Sequence, residues 1–242
     1  IKYDYAADGS LQAKQLLTAV HPKLFGWFKG NEPVKYKYRG SDKVYHYWET
    51  AFYFGGTTLL MGFIGFLLGW RKRWVQWLIA ISIFGLLHAF GSNGFIFEIL
   101  FNLPGFNLFR IPARTMLFVA LSFALLAGLA FDQLSTVRGS TKKVGIVLGI
   151  PVLVLFILLS QVAGSSFVDS YEIPKEFARL VKEFSKTGSM IIVASIALVV
   201  AMVWLKSIPK YLYGAVVALL IYGSLVDVNK DYKNSKINPA DM

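Results

Sequence analysis

Apolar residues are concentrated in six stretches of the chain, and none of them contains an aspartate or a glutamate. The stretches are 51–70, 74–90, 111–130, 144–162, 190–205 and 211–226, each 16 to 20 residues long. That length is close to the roughly 20 residues with which an α-helix crosses about 30 Å of hydrocarbon. The runs are continuous and lack period-two alternation, which favours helices over barrel strands. The pattern therefore predicts an all-α fold, a polytopic transmembrane helical bundle of about six spans over residues 51–226.

The segments outside these stretches predict short helices at the membrane surface. Residues 10–28 have an apolar spacing that suits an interfacial helix, at Leu11, Leu16, Leu17 and Val20. A second interfacial helix is expected between Pro174 and Gly188, with apolar positions at Phe177, Leu180, Val181 and Phe184. An aromatic belt precedes the first span, at Tyr36, Tyr38, Tyr45, Tyr47 and Trp48. Residues 1–50 are interpreted as an extracytoplasmic segment, and residues 227–242 as the start of an extracytoplasmic C-terminal region.

Composition supports a membrane partner and argues against a nucleic-acid partner. Hydrophobic residues make up 55% of the 242 residues and charged residues only 16%, against about 25% charged in ordinary soluble domains. The net charge is +11, but a mean hydropathy of +0.53 is not typical of a nucleic-acid-binding chain. The chain has no cysteine, which excludes disulfides, thiolate metal sites and cysteine nucleophiles. It opens on Ile1 without a signal-like run, so we expect a piece of a longer protein.

The short loops predict the orientation of the bundle. Loops after the first, third and fifth spans contain one acid, Asp132, and eight cations: Arg71, Lys72, Arg73, Arg138, Lys142, Lys143, Lys206 and Lys210. Such loops stay preferentially in the cytoplasm. Both ends of the chain are therefore expected outside the cytoplasm.

The segment 103–114, LPGFNLFRIPAR, is the densest candidate site. Pro112 suits a first helical turn, which places Arg110 just before the helix N-terminus and Arg114 within its first turn. Cations there oppose the helix dipole, so an anionic partner is expected. If one helix included both arginines, they would share a face and could hold a phosphate between them. The alternative is that both arginines reach lipid headgroups or pair with Glu98.

The remaining polar candidates are weaker. His46 and Glu49 lie three residues apart near the outer mouth of the first span, and could contact a sugar hydroxyl or act as acid and base. His88, near the outer end of the second span, also fits a helix-packing role. With His21 these histidines lack a metal-ligand spacing, so no metal site is predicted. No cofactor site is identifiable, and the sequence leaves open whether a divalent cation assists at the phosphate.

Small residues in the first span predict close helix packing. Gly65 and Gly69 form a small-xxx-small pair, and Gly62 precedes them on the same helix. No phosphate-binding loop, dinucleotide fingerprint or zinc-protease motif occurs in the sequence.

Several stretches resemble the bacterial YfhO membrane proteins. They are HPKLFG at 21–26, YWETAFYFG at 47–55, LPGFNLFRIPAR at 103–114 and VDVNKDY at 226–232. The resemblance implies a glycosyltransferase-C architecture that uses a polyprenyl-phosphate sugar at the outer face of the bacterial cytoplasmic membrane. It further implies a cell-envelope polymer such as a teichoic acid as acceptor. In that architecture the catalytic acid follows the first span of the whole protein, so here it is expected upstream of Ile1. This chain alone is accordingly expected to be inactive.

The leading interpretation is thus the central membrane part of a lipid-linked glycosyltransferase. Arg110 and Arg114 would offset charge on the departing phosphate, and His46 and Glu49 would contact the acceptor. Expected partners are membrane lipids, the lipid-linked sugar and the polymer, with no nucleic acid. A transporter or flippase for a lipid or polymer precursor is the alternative, although no span has the carboxylate typical of ion coupling. A non-catalytic structural membrane subunit is the third interpretation.

Overall fold

The computed structural model describes residues 2–21, 26–29, 32–35, 50, 52–134, 149, 175–205 and 209–233. The α-helices are α1 (Tyr3–Ala6), α2 (Gly56–Gly69), α3 (Arg73–Ala89), α4 (Ile96–Phe101), α5 (Met116–Leu134), α6 (Lys175–Trp204) and α7 (Lys210–Lys233). Short 3-10 helices cover Ala13–Ala19, Gly91–Asn93, Phe106–Leu108 and Pro112–Thr115. Strands β1 (Gly26–Lys29) and β2 (Glu32–Lys35) form an antiparallel hairpin. The described chain is thus mainly helical, which confirms the predicted fold class.

One helical segment, Pro112–Leu134, is long and apolar enough to cross a membrane, with a mean hydropathy of 2.0. Shorter apolar helices cover Gly56–Gly69, Arg73–Ala89, Ser189–Trp204 and Lys210–Val226. These segments match five of the six predicted spans to within a few residues, apart from α2, which begins at Gly56. The sixth, residues 144–162, lies outside the described residues. The six-span arrangement therefore stays a prediction.

Helix α2 lies at the centre of the bundle and packs most extensively on α5. A Cβ on Gly65 would collide with the backbone carbonyl of Leu126, and one on Gly69 would lie 2.5 Å from Leu129 Cδ2. The predicted role of the glycines in close helix packing is therefore confirmed. On its other side α2 joins α6 through a hydroxyl pair, in which Thr57 Oγ1 and Ser195 Oγ are 2.7 Å apart.

The core follows from this central position of α2. Side chains of Leu60, Met61 and Ile64 are at most 1% exposed and pack in one cluster with residues of α5, α6 and α7. From the other helices the cluster includes Ala130, Leu134, Ile192, Val199 and Tyr213. Removing apolar surface from water contributes roughly 25 cal/mol per Å². In contact with water, burial of these side chains would therefore stabilise the packing of the helices.

The two predicted interfacial helices differ from the structure. The segment predicted to contain a short helix, residues 10–28 with apolar positions at 11–20, has a 3-10 helix at Ala13–Ala19 and then strand β1. Its residues Leu11 and Val20 are fully buried, because they pack on the bundle instead of facing a membrane surface. The second prediction fails at Gly188, where α6 continues without a break from Lys175 to Trp204. One glycine costs a helix only about 1 kcal/mol, too little to end a long one.

The 3-10 helix Ala13–Ala19 is fastened to the bundle by hydrogen bonds. The amide of Gln15 donates to Thr50 Oγ1 at 2.6 Å, and the backbone N–H of Phe52 donates to Thr18 Oγ1 at 3.2 Å. The backbone N–H of Leu11 donates to the Ala89 carbonyl at the end of α3, at 2.8 Å. The N-terminal segment therefore caps the end of the bundle at which α2 and α5 begin.

Candidate functional site

Arg110 and Arg114 lie on either side of a strained residue. Ile111 adopts a left-handed conformation, with φ 63° and ψ 74°, which is unfavourable for a β-branched side chain. The strain is held by packing, because Ile111 is 6% exposed and its N–H donates to the Ala6 carbonyl at 3.1 Å. Strained residues of this kind are enriched at functional sites.

Pro112 begins a 3-10 turn, as the sequence predicts, and α5 follows directly. Arg114 lies in that turn, whereas Arg110 lies before the left-handed residue and outside the helix. The helical geometry under which the two arginines would share a face is therefore not present. Both side chains are exposed at the same end of the bundle.

Arg110 is engaged with the N-terminal segment. Its guanidinium donates a hydrogen bond to the Tyr5 hydroxyl and lies over the Tyr5 ring, 5.0 Å from the centroid. Arginine on an aromatic face gains cation–π energy and keeps its remaining donors available. Tyr5 was not predicted from the sequence, because this contact joins residues 105 positions apart.

His88 packs between α4 and the turn that precedes α5. Its Nδ1 lies 3.3 Å from Thr115 Oγ1, and its ring meets the Phe97 ring edge to face at 5.3 Å. Thr115 Oγ1 also donates to the Gly85 carbonyl at 2.8 Å. These contacts fit the helix-packing role that the sequence offered for His88.

His21 is a buried imidazole that sequence reasoning left without a role. Its side chain is 1% exposed, and neither ring nitrogen has a hydrogen-bond partner among the described residues. Burial lowers the pKa of His21 to about 4, because desolvation disfavours the charged imidazolium. The ring is therefore neutral near pH 7.

An apolar cavity of about 400 Å³ opens between α2, α3 and α5, within the size range of ligand pockets. Its lining includes Phe63, Ile83, Met116, Val119 and Phe123, and only Ser82 among the lining side chains is polar. Ser82 Oγ is buried and has no partner within the described part of the chain. One lining residue, Met116, lies two residues after Arg114 in the sequence. A cavity depends on which helices meet and could not be found from one sequence.

His46, Glu49 and the predicted aromatic belt at residues 36–48 lie outside the described residues. Within the described ranges, no group of three or more histidine, aspartate or glutamate side chains is placed to hold a metal ion.

Comparison with known proteins gives no family for the chain. No family model, no curated protein and no solved structure matches it.

Proposed function

We propose that the protein is the membrane part of a glycosyltransferase that takes its sugar from a polyprenyl-phosphate carrier. In this proposal the chain crosses the bacterial cytoplasmic membrane six times, with both ends outside, and serves an acceptor polymer of the cell envelope. The source of the proposal is the sequence resemblance to the YfhO proteins, and the geometry supplies two supporting observations.

The first supporting observation is the apolar surface of the bundle. Leu117 and Leu121 of α5 are 70% and 56% exposed, and Leu219 of α7 is 66% exposed. In the most apolar 18-residue stretch of Pro112–Leu134 only 39% is buried. A core helix of a soluble protein is mostly buried. Contiguous apolar surface of this kind favours contact with lipid.

The second observation, which carries the proposal, is the apolar cavity whose lining includes Met116, two residues after Arg114 in the sequence. A lipid-linked sugar has a hydrocarbon chain and a phosphate, which such a cavity and a cation at the start of α5 would suit. In this arrangement Arg114 would neutralise charge that develops on the departing phosphate. Arg110, held by Tyr5, would be the second phosphate ligand. His46 and Glu49 remain proposed contacts to the acceptor.

The test is transfer of a labelled sugar from a polyprenyl-phosphate donor by the full-length protein. We expect Arg114→Gln to lower the transfer rate roughly 10²-fold, the usual loss when one charge-stabilising donor is removed. Val119→Trp, which would fill the cavity, should raise the donor KM. Lys14→Gln removes an exposed cation at the same end of the bundle and should leave the rate unchanged.

The transporter or flippase interpretation makes the opposite prediction in that assay. Movement of a labelled lipid across vesicle membranes, together with no transfer from any donor, would replace the proposal with transport. If both measurements were negative, the structural-subunit interpretation would follow.

A further inference from the structure

The end of the bundle opposite the Arg114 turn brings the ends of three helices together. The last residue of α2 packs on α5, because a Cβ on Gly69 would lie 2.5 Å from Leu129 Cδ2. Lys210, the first residue of α7, forms an ion pair with Asp132 near the end of α5, at 2.8 Å. The Tyr213 hydroxyl hydrogen-bonds to the Ala201 and Leu205 carbonyls at the end of α6. The ends of α2, α5 and α6 therefore lie at one end of the bundle, together with the start of α7.

This end is cationic. The described residues there include four exposed cations, Arg71, Lys72, Arg73 and Lys210, and one acid, Asp132. Lys210 Nζ donates to Asp132 Oδ1 at 2.8 Å, so the one acid pairs with one of the four cations and the three consecutive cations exceed the nearby acidic charge. They stand at the N-terminus of α3, which has no acidic residue in its first turn. Because cations are unfavourable at a helix N-terminus, an external anion would stabilise this arrangement.

The same end has several exposed aromatic side chains. Trp70, Trp74, Trp77, Trp204 and Tyr211 are between 46% and 74% exposed. The Arg71 guanidinium lies 5.2 Å from the Trp70 ring centroid, so the cation is held against an aromatic face. Exposed tryptophan and tyrosine beside arginine and lysine are typical of the boundary between lipid headgroups and hydrocarbon.

The exposed face of α3 distinguishes a lipid from a soluble polyanion. Beyond Trp74 and Trp77, the same face continues with the exposed residues Ile81 and Phe84. A phospholipid can cover both parts, because its phosphate meets the cations and its chains meet the apolar face. A soluble polyanion would leave the apolar face in water.

We propose that Arg71, Lys72 and Arg73 bind the phosphate groups of anionic phospholipids, with the neighbouring tryptophans as anchors. At the opposite end cations and acids are interspersed, for example Lys2, Lys14, Arg110 and Arg114 with Asp4, Asp8 and Glu98. The inference rests on the proposed placement in a membrane. It adds that one end of the bundle prefers anionic lipids.

The experiment uses the full chain in nanodiscs of dioleoyl phosphatidylcholine with increasing fractions of dioleoyl phosphatidylglycerol. Bound lipid is counted by native mass spectrometry, and the thermal midpoint is followed in parallel. We expect at least a tenfold preference for phosphatidylglycerol, weakened by salt. The triple variant Arg71→Gln, Lys72→Gln, Arg73→Gln should lose that preference. The matched control Lys2→Gln, Lys14→Gln, Lys186→Gln removes the same charge from exposed positions elsewhere and should retain it.

Two results would overturn the inference: equal binding of both lipids by the unchanged chain, or an undiminished preference in the triple variant. If that variant fails to fold, the variant Arg71→Lys, Arg73→Lys replaces it and must retain the preference. Equal competition by heparin would indicate a soluble polyanion as the partner and would also reject the inference. Failure of the membrane placement is distinguishable, because the chain would then not enter nanodiscs of either composition.

Discussion

Ile111 and His21 are two described residues whose surroundings impose a local cost. The left-handed backbone at Ile111 is held by packing and by a hydrogen bond to Ala6. The His21 ring is buried in its neutral form. Both costs are offset only while the N-terminal segment stays packed on the bundle.

We expect stability to fall in acid because of His21. The unfolded imidazole has a pKa near 6.5, whereas the folded one has a pKa of about 4. Between these values the unfolded state binds more protons, so stability is complete above about pH 6.5 and is lost progressively towards pH 4. The free energy of unfolding should fall by about 3 kcal/mol over this pH range.

The measurement is the thermal midpoint in detergent at several pH values from 4 to 7.5, for the unchanged chain and for His21→Leu. The variant should show a flatter dependence on pH, and the difference between the two curves isolates His21. Parallel curves would show that the ring is not buried as a neutral group.

At the scale of elements, the contact between α2 and α5 is set by backbone proximity. A Cβ added at Gly65 would collide with the Leu126 carbonyl. A Cβ added at Gly128 on α5 would have no neighbouring atom within 4 Å. The same chemical change at these two glycines therefore has opposite consequences.

Gly65→Ala should destabilise the protein by about 3 kcal/mol or more, because the two helices must move apart. Gly128→Ala, in an open helical position, should be neutral or stabilise by about 0.5–1 kcal/mol through lower backbone entropy of the unfolded chain. Unfolding in detergent measures both. Equal effects of the two substitutions would contradict the described packing of α2 on α5.

The hydroxyl pair between α2 and α6 should be a coupled interaction. Thr57→Val and Ser195→Ala each remove one partner of a buried 2.7 Å contact. A double-mutant cycle should give a coupling of about 0.6–1.7 kcal/mol, the range measured for hydrogen bonds between membrane helices. Thr58→Val, at the neighbouring position, should be additive with Ser195→Ala.

The positions of α3, α5 and α7 could be predicted from the sequence because long apolar runs specify helices through composition alone. The β-hairpin could not, since strands β1 and β2 are only four residues each, too short to show a clear alternation of apolar and polar residues. The candidate arginines were identified from Pro112, but the left-handed Ile111 between them was not. That conformation depends on the contact with Ala6, which is remote in sequence.

At the scale of the whole molecule, large apolar side chains point outwards along α3, α5, α6 and α7. Leu121, in the first third of α5, is an example with 56% of its side chain exposed. Such a surface would be an aggregation hazard in water and is ordinary in a bilayer. In the proposed membrane placement, lipid would cover these side chains.

Cysteine labelling can test this placement directly, because the chain has no native cysteine. With a membrane-impermeant maleimide, Asn102→Cys should react in intact cells, and Lys72→Cys only after the membrane is opened. Leu121→Cys should stay unreactive in both conditions and react after denaturation, since lipid shields it. Reaction of Leu121→Cys in the native protein would show that water reaches α5.

The shortness of α2 has a consequence for the proposed membrane placement. Its 14 residues extend about 21 Å at 1.5 Å per residue, well short of about 30 Å of hydrocarbon. In that placement the longer helices packed around α2 would meet most of the lipid, so the central helix would not need to match the thickness of the bilayer. The α2–α5 contact that the glycines create would thus be shielded from changes in membrane thickness.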